Sequence, residues 1–144
     1  MKRRQLIGAA ALSLLIVRSA SALPSSPDFA VGQVWSVRAD PPTTTKVIID
    51  RIEDFGGRTA VHVSVVDVPV PAGVPISGPT MMLAHMPFDA EALRASVDKV
   101  VGSRSPPAEF EAGYEQWRSA KGGVFTISVP KALDVVFQSL PRAK

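Results

Sequence analysis

The sequence of 144 residues contains no cysteine. This absence excludes a thiol nucleophile, a cysteine zinc site, an iron–sulfur cluster and a thioredoxin-like redox centre. It also excludes disulfides, so burial and backbone hydrogen bonds must hold the folded chain together. The sequence lacks the GxSxG element, the glycine-lysine phosphate loop, GxGxxG, HExxH and an EF-hand loop. The enzyme classes defined by these motifs therefore receive no support.

The sequence also lacks an apolar run long enough to cross a bilayer as a helix. Its N-terminal apolar segment, residues 6–17, is too short for that and is rich in alanine and glycine. Basic residues 2–4 precede it, and Ala20-Ser21-Ala22 follows as the small-x-small pattern that signal peptidases cleave. We therefore expect a signal peptide over residues 1–22, an extended leader over residues 23–28 and a periplasmic or secreted mature protein with no stable membrane anchor.

Two export routes fit this segment. The paired arginines of the string RRQLIG, Arg3 and Arg4, resemble a twin-arginine signal. An ordinary Sec signal that begins with three basic residues explains the same segment, so both routes stay open. Because no cysteine follows the apolar run, a lipoprotein anchor is excluded.

The excess of positive charge belongs to the export segment. The chain has sixteen basic and thirteen acidic residues, but Lys2, Arg3, Arg4 and Arg18 lie within residues 1–22, where there is no acidic residue. The expected mature chain carries one net negative charge, so the high isoelectric point gives no support for nucleic-acid binding. The length remaining after cleavage suits one domain, which we place at residues 29–144.

Alternation of apolar and polar residues predicts an antiparallel meander. A turn at Gly56-Gly57 between two such stretches indicates a hairpin. Residues 69–79 carry four prolines and two glycines and predict a loop. The predicted strands cover residues 31–38, 46–53, 59–68 and 80–86.

The period changes to that of helices after Pro87. Asp89 is a capping residue for a helix whose buried stripe would be Leu93, Val97, Val100 and Val101, with Gly102 at its end. A second helix is predicted from Ser105-Pro106 to Gly122-Gly123, then a short strand at residues 124–127 and a last helix capped by Ser128. These elements predict an α+β fold: a curved antiparallel sheet of four to five strands, followed by about three helices packed on one face.

Large aromatic residues occupy the apolar positions of these elements. Phe110, Tyr114 and Trp117 share one face of the second predicted helix, at i, i+4 and i+7. We expect Trp35, Phe110, Trp117 and Phe137 to belong to one core between the sheet and the helices. The alternative is that Phe110, Tyr114 and Trp117 line a pocket for an apolar or ring-bearing ligand.

The two histidines carry the only other candidate chemistry. His62 falls on the third strand and His85 at the end of the fourth, and with Glu53 or Asp50 they would supply ligands for zinc or iron, or an acid–base pair. The structural interpretation is that each imidazole donates to a nearby carbonyl. We favour the structural interpretation and expect neither a metal site nor a cofactor, because two histidines without a ligand spacing are a weak signal.

The mature sequence resembles a loose group of small exported bacterial proteins of unknown function over most of its length. The matching strings are GQVW at 32–35, IDRIE at 49–53, VHV at 61–63, HMPF at 85–88, GYEQW at 113–117 and GVFTI at 123–127. The resemblance implies that these strings form one recurring unit and implies no particular activity.

Taken together, the residues favour an exported binding or interaction protein without catalytic activity, whose partner is a protein or a small molecule. The alternative is a small hydrolase or a metal-dependent enzyme centred on His62, His85 and Glu53. A cleft in which both histidines and a carboxylate converge would favour the enzyme.

Overall fold

The alternating segments form a sheet of five antiparallel strands in the computed structural model, which describes residues 28–144. The predicted signal peptide, its cleavage site and residues 23–27 of the predicted leader lie outside the described residues. The strand order is β4-β3-β2-β1-β5, and three helices complete the fold. Along the chain the elements are β1 (Gln33–Val37), β2 (Lys46–Phe55), β3 (Arg58–Pro69), β4 (Thr80–Asp89), α1 (Ala90–Ser96), β5 (Val97–Ser103), α2 (Phe110–Ser119) and α3 (Val129–Ser139). The predicted α+β class is confirmed.

The hairpin between β2 and β3 turns at two glycines. Gly56 and Gly57 both have positive φ angles, of 60° and 82°. A two-residue turn with this geometry matches the twist of the flanking strands, and glycine adopts it without steric cost. The turn fixes the register in which Phe55 pairs with Arg58 and Glu53 pairs with Ala60.

The main core lies on one face of the sheet. The valines at positions 61, 63 and 65 of β3 point into it together with Phe88 and Leu93. α1 packs against β3, β4 and α3, so α1 and α3 cover this face as expected.

The second helix lies on the opposite face of the sheet. His62 stands between core-facing Val61 and Val63, so its side chain points away from the main core. Tyr114 and Trp117 of α2 contact the His62 ring at centroid distances of 5.1 and 4.6 Å. The helices therefore do not all pack on one face, because the aromatic stripe of α2 is buried on the histidine side.

The predicted single aromatic core is divided in the same way. Trp35 is buried in the main core and Phe137 packs against it. Phe110 and Trp117 instead pack against His85, with ring centroids 5.7 and 5.9 Å away. The periodicity of apolar residues within a helix or strand indicates that one face is buried, but it does not identify the element that packs against that face.

The first predicted helix is shorter than its apolar stripe suggests. Asp89 caps it as predicted, accepting a hydrogen bond from the Ala92 amide at 3.4 Å. The helix ends at Ser96, and Val97–Ser103 form strand β5 beside β1, so Val100 and Val101 are exposed edge-strand residues. β-branched residues suit both patterns, and pairing with β1 decides between them.

Two other boundaries differ from the sequence prediction. Residues 124–127 do not form a strand; Phe125 makes a single parallel bridge to Phe88, through two backbone hydrogen bonds to β4. α2 begins at Phe110 rather than just after Ser105. The last helix begins as predicted, because the Ser128 hydroxyl accepts from the Lys131 amide.

Candidate functional site

Two register shifts position the polar residues on the histidine side of the sheet. In β2 the pairing with β3 passes from Ile49 to Arg51, which leaves Asp50 as an extra residue. A second register shift lies in β4, between the two residues that pair with Val63 and Val65 of β3. Bulges of this kind redirect side chains and are common beside functional sites.

The two histidines and Glu53 form one hydrogen-bonded chain. His62 Nδ1 lies 2.9 Å from His85 Nε2, and His62 Nε2 lies 2.9 Å from Glu53 Oε1. The Tyr114 hydroxyl donates to Glu53 Oε2 at 2.9 Å. We refer to Tyr114, Glu53, His62 and His85 as the relay. It joins three strands of the sheet to α2.

The aromatic residues of α2 cover the relay. His62 is fully buried, and Phe110 and Tyr114 are buried as well. Trp117 is half-buried, and its indole N–H donates to the Gly123 carbonyl at 2.8 Å. The rings of Phe110, Tyr114 and Trp117, which the sequence analysis considered as the lining of a ligand pocket, therefore pack against other residues of the fold.

The geometry assigns protons along the relay. Burial disfavours ionised Glu53, but hydrogen bonds from Tyr114 and His62 outweigh it and lower the pKa of the carboxyl. An ionised Glu53 accepts from His62 Nε2–H, so His62 Nδ1 must accept from His85 Nε2–H. His85 Nδ1 is then the only imidazole nitrogen of the relay that keeps a free lone pair.

Both imidazoles are held neutral. Burial lowers the pKa of His62 and outweighs the hydrogen bond to Glu53, which raises it. Burial, together with the neighbouring His62, lowers the pKa of His85 to about 4. Arg51 also disfavours a charged His62; its guanidinium lies 4.2 Å from the centre of the Tyr114 ring.

Asp50 bonds to Ser64 and not to a histidine. Ser64 Oγ lies 2.5 Å from Asp50 Oδ2 and 2.9 Å from the Ala84 carbonyl oxygen. A hydroxyl has one proton, so Ser64 donates to Asp50 while the carboxyl is ionised, and it donates to the Ala84 carbonyl once a protonated Asp50 donates to Ser64. Asp50 Oδ1 is buried and has no hydrogen-bond partner within residues 28–144.

The structure brings together the residues that the sequence named for the enzyme alternative: His62, His85 and Glu53. Among the residues that the structure describes, neither imidazole bonds to a carbonyl; the imidazoles bond to each other and to the Glu53 carboxylate. Within residues 28–144, no three histidine or acidic side chains are placed to hold a metal ion. The sequence did not link Tyr114 to Glu53 or Asp50 to Ser64, because the bulges that permit these contacts have no sequence signature.

A groove lies elsewhere, between the β2–β3 turn and the start of α1. Two adjoining depressions of about 410 and 180 Å³ form it and share Thr59, Ala90 and Arg94. Arg58 borders the larger depression, and Phe29 and Ile52 border the smaller one. We refer to these two depressions as the arginine groove.

The two arginines of this groove are only partly engaged by acidic residues. Arg58 Nε lies 3.2 Å from Asp89 Oδ1, while 61% of the Arg58 side chain is exposed. The shortest distance between Arg94 and Glu91 is 3.9 Å, from a guanidinium nitrogen of Arg94 to Glu91 Oε1. The guanidinium carbon of Arg94 lies 5.4 Å from the centre of the Phe29 ring. Two guanidinium groups and an apolar surface thus meet at one groove.

Comparison with protein-family models, curated proteins and solved structures gave no match. None of the helices within residues 28–144 has the length and apolar character needed to cross a membrane. The function must therefore be argued from the geometry of the chain itself.

Close contact between α2 and β4 makes Gly113 a critical position. A Cβ at Gly113 would lie 2.7 Å from the Cβ of His85, closer than real contacts allow. We expect Gly113→Ala to lower the free energy of unfolding by about 1–3 kcal/mol, despite the better helix propensity of alanine. Urea unfolding measures this change.

Gly123→Ala is the matched control for this variant. A Cβ at Gly123 would meet no atom within 4 Å. This substitution should leave the urea midpoint nearly unchanged. A Gly113→Ala protein as stable as the control would mean that α2 does not rest on His85.

Proposed function

We propose that the protein is an exported binding protein without catalytic activity, and that the arginine groove holds its ligand. The observation that carries this proposal is the meeting of two partly free guanidinium groups, Arg58 and Arg94, with the apolar side chains of Phe29 and Ile52. The larger depression has the size of sites that take small molecules, which are about 300–1,000 Å³.

The two arginines of the groove favour a small ligand with an anionic group and an apolar part, although the carboxylates of Asp28, Asp89 and Glu91 also border the depressions. Guanidinium groups bind carboxylates and related anions through paired, charge-assisted hydrogen bonds. Glu91 is a weak competitor for Arg94, because its side chain is 88% exposed and its nearest oxygen is 3.9 Å away. The apolar part of the ligand would contact Phe29 and Ile52, whose exposure to water it would reduce.

The enzyme alternative is supported by the convergence of His62, His85 and Glu53. Against it stands the way these groups are used: both nitrogens of His62 and both oxygens of Glu53 are engaged within the fold. A general base needs a reachable lone pair and a pKa near the working pH. His85 Nδ1 is the one candidate in the relay, and the lowered pKa of His85 makes it a weak base.

An aromatic sulfonate tests the proposed site. We expect 8-anilinonaphthalene-1-sulfonate to bind the purified protein at neutral pH. Its affinity should fall at least about tenfold in the double variant Arg58→Gln, Arg94→Gln, because each lost charged hydrogen bond is worth about 1.5–3 kcal/mol. Fluorescence titration measures the affinity, and thermal melting checks that the variant is folded.

Arg118→Gln is the control, since Arg118 is an exposed arginine of α2 outside the groove. Equal affinity of the double variant and this control would contradict the proposed site. Hydrolysis of p-nitrophenyl acetate that disappears in His85→Gln would instead favour the enzyme.

Export is tested on protein taken from the cell envelope. N-terminal sequencing should read Leu23 as the first residue. An intact Met1 would contradict export.

A further inference from the structure

The attachment of α2 to the sheet depends on the two imidazoles. Segments without regular structure precede and follow this helix, at residues 104–109 and 120–128. Its inward rings lie on His62 and His85 at centroid distances of 4.6 to 6.1 Å, and none of them belongs to the main core. The docked position of α2 is therefore sensitive to the charge of these two rings.

The relay makes all three of its hydrogen bonds when both imidazoles are neutral. Glu53 is ionised, and each imidazole is neutral with its proton on Nε2. The first added proton must go to His85 Nδ1, which creates a half-buried cation in contact with Phe110 and Gly113. A second proton, on His62 Nδ1, would place two N–H groups face to face at 2.9 Å and break the bond between the histidines.

The groups that face the histidines come from two further elements. From β2, Glu53 favours a charged imidazole and Arg51 disfavours one. From α2, Tyr114 contributes a hydroxyl whose pKa is raised by burial and by its bond to Glu53, and Arg118 lies close enough to affect that hydroxyl. Of these groups, Glu53 is the one that raises the pKa values of the histidines. Burial lowers both pKa values and has the larger effect at each histidine.

We propose that α2 is an acid-released helix, docked on the sheet while His62 and His85 are neutral and detached when this pair takes up protons, with the core between the sheet, α1 and α3 intact. Water can fully hydrate a charged His85 only if α2 moves away, because this side chain is half-buried and Gly113 packs directly on it. The main core contains no residue of α2, so local release does not require global unfolding. The inference does not depend on what the arginine groove binds.

The direction of the pH effect follows from linkage. The histidines have lower pKa values in the docked state than when exposed, so docking is fully favoured above the ordinary histidine pKa of 6.5. It weakens as the pH falls from 6.5 towards 4. For each proton taken up, the docking equilibrium constant falls by up to about tenfold per pH unit within this window.

Tryptophan emission tests the release of α2. Trp117 leaves a half-buried position when α2 detaches, whereas Trp35 stays in the main core. Subtracting the spectrum of Trp117→Phe, in which only Trp35 emits, isolates the Trp117 signal. We expect that signal to shift to the red between about pH 6.5 and pH 4.5, while far-ultraviolet circular dichroism retains the sheet.

Two variants identify the group whose protonation causes the red shift of Trp117 emission. His85→Gln keeps a side-chain N–H donor for His62 but cannot be protonated, so it should lose the red shift. Asp50→Asn removes a buried carboxyl whose raised pKa of about 6 lies in the same pH range, and this variant should keep the red shift. If His85→Gln fails to fold, imidazole nitrogen chemical shifts of the wild-type protein replace it: the midpoint of His85 titration should coincide with that of the red shift.

The proposal is overturned by any of three results. One is a wild-type Trp117 emission that does not change over this pH range. Another is a red shift that persists in His85→Gln or that has a midpoint different from the His85 titration. The third is loss of the sheet signal at the same pH, which would show global unfolding and not release of one helix.

Discussion

Trp35→Ala is expected to lower the free energy of unfolding by about 3–5 kcal/mol, a large share of the stability of a domain of this size. Only 3% of Trp35 is exposed, and its ring meets the edge of Phe29 at a centroid distance of 5.4 Å. The residue lies on β1, between β2 and β5, so the cavity would open where two strand pairings meet. Urea unfolding at neutral pH measures the loss.

Trp117→Ala should cost clearly less in the same measurement. Trp117 is half-buried and packs on the histidine side of the sheet, outside the main core. Its removal should also let water reach His62 and raise the pKa of that residue, because burial is the main cause of its lowered value. Equal losses for both tryptophans would mean that they share one core, as the sequence pattern suggests, and would contradict the division described here.

The contrast between the two tryptophans shows which features of the fold the periodicity of apolar residues can predict. Alternation located β1 to β4, because one face of each strand is buried and the side-chain period of a strand is two. Capping residues located the starts of α1 and α3 at Asp89 and Ser128, because capping is a local interaction. The stripe of α2 indicated a buried face, but not the side of the sheet against which it packs.

The segment after Ser96 shows a second limit. Val97, Val100 and Val101 satisfy a helical stripe and are also good strand residues. The choice is made by β1, which would otherwise present an open edge: the Arg38 amide donates to the Ser96 carbonyl, and Val37 pairs with Val97. Val37 and Val97 are 60 positions apart, and such a contact cannot be read from a local pattern.

The candidate site was predictable in composition but not in geometry. His62, His85 and Glu53 were named together because their residue types suit the same chemistry. Their contacts depend on the bulge that inserts Asp50 into β2 and on the register shift in β4. Each shift moves side chains relative to the facing strand, so the sequence could not distinguish dispersed histidines from a bonded pair.

The same bulge places Asp50 where its charge is unfavourable. Burial raises the pKa of this carboxyl from 3.8 to about 6, although the hydrogen bonds with Ser64 and the charge of Arg104 oppose the rise. The folded state therefore binds a proton more tightly than the unfolded state. By linkage, Asp50 lowers stability as the pH rises from 3.8 through 6, whereas His85 lowers it as the pH falls from 6.5 to about 4.

Asp50→Asn is accordingly expected to stabilise the protein by up to about 3 kcal/mol at pH 8 and to give no gain near pH 4, where the carboxyl is already protonated. Asparagine keeps a donor for Ser64, so the Ser64 hydroxyl can still bond to the Ala84 carbonyl. Because the two titrations oppose each other between pH 4 and 6, the variant should also lose stability more steeply than the wild type on acidification. Urea unfolding across this range tests both effects, with Asp54→Asn as the exposed control. A variant less stable than the wild type at pH 8 would mean that Asp50 is ionised and well solvated in the folded protein.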